Sequence, residues 1–416
     1  MLYSFEGPSN GTRFDTTGGS ILDALYKLPA QVQDDLTTAW RALDAMALTV
    51  DVATPWTAER AREWDGMTFA TWLDVNVPSA EARQILRVLC TTMIAQEPYT
   101  VSFLHILFYI RAADGLVNLV VNEQQYRVVG GTQAPPIKMA QELGSDRLRL
   151  SSPVLALNQR DGLVELMVGA SGASPSTVTA RYAILTGPPA VVNRMQFNPP
   201  LPFDKQQLIQ RAPMGNSVKL TLAYATNFWD GLGLSGTVLA SVPLGKIERP
   251  VRTTLGSDVL FSNCFDNSPY TGSSGRVRSG VSEHPSANAG RTPAVLLCFC
   301  EGDCSEQMMA LPTDAERVSV VTTFLARTFG DAARHPVGFA YEHWAAAPFS
   351  AGAYSAFFPP GAWTQQGPSL RAAFGHVRWA GADYATVGNG YINGAIASSE
   401  AVANELHQLL HAAAGK

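Results

Sequence analysis

One stretch near the C-terminus, residues 344–397, constrains the fold more strongly than any other part of the chain. Its segment HVRWAG predicts a short strand that ends at Gly381, and a helix is predicted over 392–412 after a glycine-rich turn. Backbone N–H groups at a helix N-terminus favour a negatively charged group. Gly388 and Gly390 have no Cβ, so a flat ligand can approach their backbone closely. The stretch therefore predicts a ligand site.

The whole chain has 416 residues, which is enough for one large domain or two of ordinary size. Aliphatic and aromatic residues make up 46% and charged residues 16%, as in a folded α/β or α+β protein. The formal net charge of −5 gives no reason to expect nucleic acid or an anionic membrane as a partner. No apolar run reaches the roughly 18 residues of a membrane-spanning helix. The polar N-terminal sequence has no recognisable signal peptide, so we expect a cytoplasmic protein.

The five cysteines do not suggest a disulfide framework. Their number is odd, and Cys298 and Cys300 flank Phe299 inside an apolar run, which favours unpaired thiols and a reducing compartment. Cys298, Cys300 and Cys304 could suggest a metal site, but no histidine pair completes the set of ligands. We therefore interpret these cysteines as structural residues.

Apolar residues recur at helical spacing in the first third of the chain. This pattern predicts a helix from Ser20 to about Leu48, one over 68–75 and two across 79–113. Later in the chain, short apolar runs predict strands at 148–150, 152–157, 163–168, 180–186, 258–264, 294–300 and 337–344, with a helix at 314–328. The Gly- and Ser-rich segment 266–293 predicts an exposed insertion.

Three motifs of the C-terminal stretch occur in a fixed order: AYSAFFPPG (353–361), WAGADYAT (379–386) and NGYINGA (389–395). In order and spacing they resemble the C-terminal signature of the flavin-containing amine oxidases, above all the monoamine oxidases. Two upstream segments resemble the same family: RAPMGNSVK (211–219), which matches its R-x-P-x-G-x-x-x-K pattern, and EWDGMT (63–68). The resemblance therefore covers nearly the whole chain.

The resemblance implies an α/β (mixed α+β) fold of two interleaved lobes. Residues 1–127 and 209–347 would form a substrate-binding lobe with a mixed sheet and helices, and residues 128–208 and 348–416 part of an FAD-binding, Rossmann-like lobe. The family's reaction is FAD-dependent oxidation of a small amine, here a primary aromatic or aliphatic monoamine, to an imine and then an aldehyde. Dioxygen is the acceptor, and hydrogen peroxide is released. A homodimer is left open.

Four residues match substrate-side positions of the family, of which Lys219, Tyr354 and Tyr391 are predicted to be catalytic. Lys219 matches the lysine that holds a water against flavin N5, although a strand lysine by itself is more often a solvated residue. Tyr354 and Tyr391 match two tyrosines that form a cage perpendicular to the flavin and guide the amine by their ring faces. Gln124 matches a substrate-side glutamine. An aromatic pair fits a monoamine better than an amino acid, whose carboxylate calls for an arginine.

The resemblance also gives a set of cofactor-binding residues: Gly130, Gly131, Val154, Trp344, Gly381, Asp383, Gly390 and Tyr391. It places the Val154 backbone at the adenine, Trp344 beneath the flavin and Asp383 near the ribityl and phosphate region. Ala353 stands where several monoamine oxidases have a cysteine that is covalently linked to the flavin, so we expect noncovalent FAD. Asp383 is one methylene shorter than the glutamate of the family, which changes its reach toward the cofactor.

The chain lacks the starting strand, G-x-G-x-x-G turn and helix that hold the pyrophosphate in this family. Gly231, Gly233 and Gly236 match the glycine spacing, but the residues after them predict a strand rather than a helix, so we interpret the match as chance. We therefore expect a truncated form that binds FAD weakly or not at all. A polyamine or L-amino-acid oxidase of the same superfamily, and a non-catalytic remnant that binds no FAD, are the alternatives.

Overall fold

Helices and strands alternate along the computed structural model, which describes residues 3–5, 11–13, 28–120, 128, 131–170, 173–234, 236–239, 263–268 and 294–414. The helices are α1 (Ala30–Ala47), α2 (Ala61–Asp65), α3 (Phe69–Asn76), α4 (Ala80–Ile94), α5 (Phe103–Ala112), α6 (Leu116–Val120), α7 (Ala134–Leu143), α8 (Pro189–Val192), α9 (Phe203–Gln210), α10 (Phe228–Gly231), α11 (Asp303–Ala310), α12 (Asp314–Phe329), α13 (Ala362–Gln366) and α14 (Ile392–Ala414). The strands are β1 (Tyr3–Phe5), β2 (Gly11–Arg13), β3 (Val154–Arg160), β4 (Leu163–Ala170), β5 (Ala173–Ala180), β6 (Ala183–Leu185), β7 (Gln196–Asn198), β8 (Ser217–Tyr224), β9 (Val238–Leu239), β10 (Asn263–Asp266), β11 (Ala294–Glu301), β12 (Gly338–His343) and β13 (Val377–Trp379).

The sheets combine antiparallel and parallel pairing. A five-stranded antiparallel sheet has the order β12-β8-β11-β10-β9, and a four-stranded sheet has the order β5-β4-β3-β7, in which β3 and β7 are parallel. Strands β13 and β6 form a separate parallel pair, and β1 pairs with β2. The predicted mixed α/β class is therefore confirmed.

Within the described part of the chain, buried apolar residues form two clusters. The larger one joins the N-terminal helices to the four-stranded sheet and to the segment that contains FFPPG, whereas the smaller one lies between the five-stranded sheet and helices α11 and α12. Helix α5 is the centre of the larger cluster, because each of its residues except Arg111 is buried. Its first residue, Phe103, stacks on Trp72 with ring centroids 5.0 Å apart.

The buried carboxylate of Asp65 ties the helical region to the C-terminal stretch. Asp65 is fully buried. One of its carboxylate oxygens accepts a hydrogen bond from the Ser102 hydroxyl at 2.7 Å, and the other accepts from the N–H and the hydroxyl of Thr364, both at 2.8 Å. The Asp65 carbonyl accepts a further bond from the Gly361 N–H at 2.8 Å. A buried charge needs such a set of donors to be tolerated. The sequence EWD therefore fixes where the FFPPG segment turns into α13.

Local sequence signals predicted some element boundaries correctly and missed others. The helix predicted at 314–328 is confirmed as α12, which begins with a capping box formed by Thr313 and Glu316. The helix predicted from Ser20 to about Leu48 is confirmed over α1, which begins after Pro29, because Pro29 has extended φ and ψ of −52° and 141°; residues 20–27 lie outside the described residues. The strand predicted at 148–150 is wrong: none of these residues lies in a strand, and Leu150 is in a turn and 85% exposed.

The prediction of unpaired cysteines is wrong for Cys264 and Cys298, which form a disulfide. Strand β10 pairs with β11 in a register that sets these two residues directly opposite each other, with Cα atoms 4.0 Å apart. Cys90, Cys300 and Cys304 are not disulfide-bonded, as expected. The odd number of cysteines therefore does not indicate whether Cys264 and Cys298 pair, because the register between β10 and β11 brings the two residues together. The inference of a reducing compartment loses its support.

Among the residues that the structure describes, no helix combines the length and the apolar character needed to cross a membrane. Most of the predicted insertion 266–293, together with Gln124 and Gly130, lies outside the described residues.

Candidate active site

Lys219 lies in the middle of β8, on the face of the five-stranded sheet that it shares with Ser217. In the register of β8 with β11, Phe299 is opposite Lys219 and Glu301 is opposite Ser217. The Lys219 ammonium is 5.6 Å from the centroid of the Phe299 ring, and that ring is 6.2 Å from the ring of Tyr354. Lys219 and Tyr354 therefore both approach one aromatic side chain.

The loop that carries Tyr354 is fastened to the segment just before β8. The N–H of Ala353 donates to the Gly215 carbonyl at 2.8 Å, and the N–H of Gly215 donates to the Ser355 carbonyl at 3.3 Å. A Cβ on Gly215 would overlap the carbonyl oxygens of Ala353 and Ile94. The glycine of the R-x-P-x-G-x-x-x-K pattern is thus the point at which two backbone segments touch. It sets the position of Lys219 relative to Tyr354.

Tyr391 reaches the same region from the turn before α14. Its ring is partly buried and stacks on Tyr109, with centroids 6.4 Å apart and an interplanar angle of 24°. Gly390 packs so closely on this loop that an added Cβ would lie 3.0 Å from the Ser355 hydroxyl and 3.1 Å from the Tyr109 hydroxyl. The segments that carry Tyr354 and Tyr391 are therefore in direct contact.

The hydroxyl of Tyr354 donates a hydrogen bond to the carboxylate of Glu301, a residue that is fully buried. Burial first, and then the negative charge of Glu301, raise the pKa of the Tyr354 phenol well above its usual value, and a contact with the Ser217 hydroxyl lowers it slightly. Tyr354 as a residue is nevertheless 39% exposed, so its hydroxyl end is buried while other parts of it are accessible. Tyr354 is therefore a neutral phenol with its proton directed at Glu301.

Parallel strands β6 and β13 end together beside this site, with Leu185 paired to Trp379. Gly381 follows β13 with φ of +116°, and a Cβ on it would lie 3.0 Å from the Thr186 carbonyl oxygen. Its N–H donates to the Ser398 hydroxyl at 2.9 Å, which joins the strand end to α14. The carboxyl edge of a parallel sheet beside a helix N-terminus is where nucleotide cofactors bind in α/β proteins. The residues present at this edge fit a flavin nucleotide.

Asp383 holds the turn after β13 against the FFPPG segment. Its carboxylate accepts a hydrogen bond from the Ala356 N–H at 2.6 Å. Burial raises its pKa to about 6, while the Ala356 N–H works in the opposite direction. Asp383 thus has a structural contact in addition to the cofactor contact that its motif predicts.

The pKa of Asp383 predicts a specific dependence of stability on pH. The folded-state pKa of about 6 lies above the ordinary value of 3.8, so the folded protein binds more protons than the unfolded chain between these values. The contribution of Asp383 to the free energy of unfolding should therefore fall, by up to about 3 kcal/mol, as the pH rises through this window. Urea unfolding of the wild type and of Asp383→Asn at a series of pH values measures this difference. Parallel profiles for the two proteins would contradict it.

Two residues that sequence reasoning did not select organise the same turn. The side-chain amide of buried Asn389 donates to the carbonyls of Ala382 and Ala385, each at 3.1 Å. The Arg371 guanidinium donates to the Tyr384 carbonyl at 2.7 Å and to the Ala385 carbonyl at 3.2 Å. Asn389 directly precedes Gly390, and this Asn-Gly pair was the only local signal of a side chain that closes a turn.

Glu301 was also missed, although a charged residue at the end of the apolar run AVLLCFC is unusual.

Three other residues that the resemblance assigns to the cofactor, Trp344, Val154 and Gly131, precede these contacts in the sequence. Trp344 directly follows β12, the strand in which Glu342 is paired with Lys219. Val154 begins β3 and is partly buried, and Gly131 is exposed with φ of +86° just before α7.

The G-x-G-x-x-G match at Gly231 to Gly236 does not have the structure of a dinucleotide-binding turn. Gly231 ends the short helix α10, and strand β9 follows the last glycine. A dinucleotide-binding turn instead follows a strand and opens a helix. The interpretation of a chance match is therefore consistent with the fold.

Comparison with known proteins agrees with this geometry. A sequence profile of the family described as "Flavin containing amine oxidoreductase" matches residues 10–407. A flavin-containing amine oxidase of Oncorhynchus mykiss is 30% identical over 376 residues, which are 89% of this chain and 65% of that protein. An L-amino acid dehydrogenase of Synechocystis is 30% identical over 411 residues, 96% of this chain and 77% of its own length. This chain thus spans 65% of the length of the trout protein.

Solved structures show the same fold. A putrescine oxidase bound to putrescine has a TM-score of 0.80 at 24% identity, over 98% of this chain and 81% of the other. Cyclohexylamine oxidase from Brevibacterium oxydans IH-35A has a TM-score of 0.73 at 26% identity, over 92% of this chain and 76% of the other. Because the profile match takes in β8 with Lys219 and both tyrosine segments, the chain belongs to the flavin-containing amine oxidoreductase family.

Proposed function

We propose that this chain carries the substrate site of an FAD-dependent oxidase of primary monoamines. The observation that carries the proposal is that Lys219 and Tyr354 approach the same Phe299 ring, while the turn with Gly390 and Tyr391 packs on Ser355 beside the carboxyl edge of the parallel strands β6 and β13. The overall reaction converts an amine RCH₂NH₂, dioxygen and water into the aldehyde RCHO, ammonia and hydrogen peroxide. FAD, when bound, supplies the two-electron oxidant and passes the electrons to dioxygen.

The residues of the chain have separate roles in this scheme. The faces of Tyr354 and Tyr391 orient the amine, since aromatic rings attract a cationic or partly cationic nitrogen. The Lys219 ammonium holds a water molecule that attacks the carbon of the imine, and its positive charge stabilises the negative charge that develops on dioxygen during reoxidation. The glycines at 381 and 390, with the Val154 backbone and Trp344, would hold FAD, and Ala353 offers no thiol for a covalent bond to it.

An apolar or aromatic amine suits the wall beside Lys219 better than a diamine or an amino acid. The Phe265 ring stacks on Phe299 at 5.8 Å, and Phe299 in turn lies 6.2 Å from Tyr354, so aromatic rings follow one another along the sheet. Such a row offers apolar contact and ring faces to a substrate. The rings of Phe265 and Phe299 themselves offer no charged partner to a carboxylate or a second ammonium, since Lys219 and Glu301 lie at the Tyr354 end of the row.

The test is peroxide release by the chain loaded with FAD. We expect benzylamine or phenylethylamine to be oxidised at least about tenfold faster, in kcat/KM, than putrescine or L-phenylalanine, the ratio that a poorly matched charge in an apolar site imposes. Acid precipitation should release all the flavin into the supernatant if it is noncovalent. Preference for putrescine or for an amino acid would replace the monoamine assignment. A protein that takes up no FAD from a titration and remains colourless would favour a non-catalytic remnant.

Replacing Lys219 should separate reoxidation from substrate binding. In FAD-loaded Lys219→Met, we expect the reaction of the reduced protein with dioxygen to slow by about 10²-fold, because a positive charge that stabilises developing negative charge is lost. The Kd for benzylamine should change little. Stopped-flow absorbance of the flavin measures both steps, with Lys138→Met on the exposed face of α7 as the matched control. Unchanged reactivity with dioxygen would rule out this role for Lys219.

A further inference from the structure

We propose that Glu301 is a positioning residue of the amine site, which acts through Tyr354 to favour a positively charged nitrogen over a neutral group of the same shape. The inference rests on the proposed function, because it assigns Tyr354 to the substrate. Glu301 does not itself touch the substrate in this proposal. Its carboxylate accepts a hydrogen bond from the phenol and increases the electron density of the phenol ring.

The position of Glu301 is fixed by the strand register. It is the last residue of β11, fully buried, and directly opposite Ser217 of β8. It shares a face of the sheet with Phe299, whose ring contacts both Lys219 and Tyr354. The Tyr354 hydroxyl donates a hydrogen bond to Oε1 of Glu301. A buried charge is costly unless it is hydrogen-bonded, so this phenol is part of what stabilises the carboxylate.

The hydrogen bond has an electronic consequence for the ring. A phenol that donates to a carboxylate gains electron density on oxygen and on the ring, and the effect is stronger in a buried environment of low dielectric constant. The ring face, which already carries the negative part of the quadrupole, becomes a better partner for a cation. Burial and the charge of Glu301 also raise the pKa of Tyr354, so the proton stays on the phenol.

The carboxylate of Glu301 also offsets the positive charge of Lys219. Lys219 lies on β8 two residues beyond the partner of Glu301, in the diagonal position of an antiparallel pair, about 7–8 Å away. Its ammonium repels any cation that binds nearby. The carboxylate of Glu301 offsets this repulsion, and a positively charged amine or iminium can then occupy the face of Tyr354.

A pair of isosteric probes tests the proposal without a reaction. Phenyltrimethylammonium carries a permanent positive charge and cannot be oxidised, and tert-butylbenzene has the same shape without the charge. Isothermal titration calorimetry gives the Kd of each for the full chain and for Glu301→Gln, Tyr354→Phe and the double variant. Glu306→Gln, on the exposed face of α11, is the matched control.

We expect the wild type and Glu306→Gln to bind the cation about tenfold more tightly than the neutral probe. Glu301→Gln and Tyr354→Phe should each lose most of this preference while the Kd for tert-butylbenzene stays the same, and the double variant should lose no more than either single one. A preference that survives in Glu301→Gln overturns the proposal. An equal loss of affinity for both probes also overturns it, because that result indicates a role in folding alone. A wild type without any preference for the cation overturns it as well, whereas the proposed oxidase activity is decided separately by peroxide release.

Discussion

Gly215→Ala is expected to lower the free energy of unfolding by about 3 kcal/mol or more and to abolish amine binding. Gly215 does not have a positive φ, so alanine is compatible with its backbone conformation and only space is at issue. The added Cβ would overlap the backbone oxygens of Ala353 and Ile94 and would lie 2.9 Å from the Cβ of Ala95. Two of these neighbours are backbone atoms, which cannot rotate away. The loop with Tyr354 must then move away from the strand with Lys219.

Urea unfolding and calorimetric binding of phenyltrimethylammonium together measure both effects. Gly231→Ala is the matched control, because a Cβ on Gly231 meets nothing within 4 Å. We expect that variant to change stability by no more than about 0.5 kcal/mol. If Gly215→Ala were equally harmless, the contact between the two segments would not hold the site together.

Asp65→Ala is expected to be the most damaging change in the helical region, at about 4 kcal/mol. The substitution removes the acceptor for the Ser102 hydroxyl and for both the N–H and the hydroxyl of Thr364. These donors would be left buried without a partner, and each such group carries a large desolvation cost. Because Thr364 lies in α13, the loss should also loosen the FFPPG segment.

The control for Asp65 is Asp74→Ala in the neighbouring helix α3. The Asp74 side chain is 56% exposed and pairs with Arg87, whose own side chain is 19% exposed. Exposed ion pairs contribute about 0–1 kcal/mol, so we expect this variant to unfold close to the wild type. Thermal and urea unfolding of the two variants give the comparison. Equal effects would mean that the hydrogen bonds of Asp65 are not what stabilises this junction.

Motifs whose residues are close in sequence predicted much of the candidate site. The segments with Tyr354 and Tyr391 and the strand with Lys219 were selected because their motifs resemble those of the amine oxidases, and they pack together in the structure. The start of α12 was also predictable, because its capping box lies within four consecutive residues. The roles of these site residues in catalysis stay predictions.

Features that depend on strand register could not be predicted from the sequence. Glu301 contacts Tyr354 only because β11 is paired with β8 so that Glu301 is opposite Ser217. The same kind of register joins Cys264 to Cys298. A short apolar run also predicted a strand that does not form, since Leu150 is exposed and lies in a turn. Pairing between distant segments, rather than local propensity, decided each of these cases.

The disulfide has a practical consequence for anyone who purifies this chain. Cys264 and Cys298 are 34 residues apart, so a protease that cuts once between them produces two fragments that are still joined through sulfur. Electrophoresis without a reductant would show one band at the intact mass, and dithiothreitol would split it into two. Clipped preparations can therefore pass as whole ones, and only a reducing gel reveals the difference.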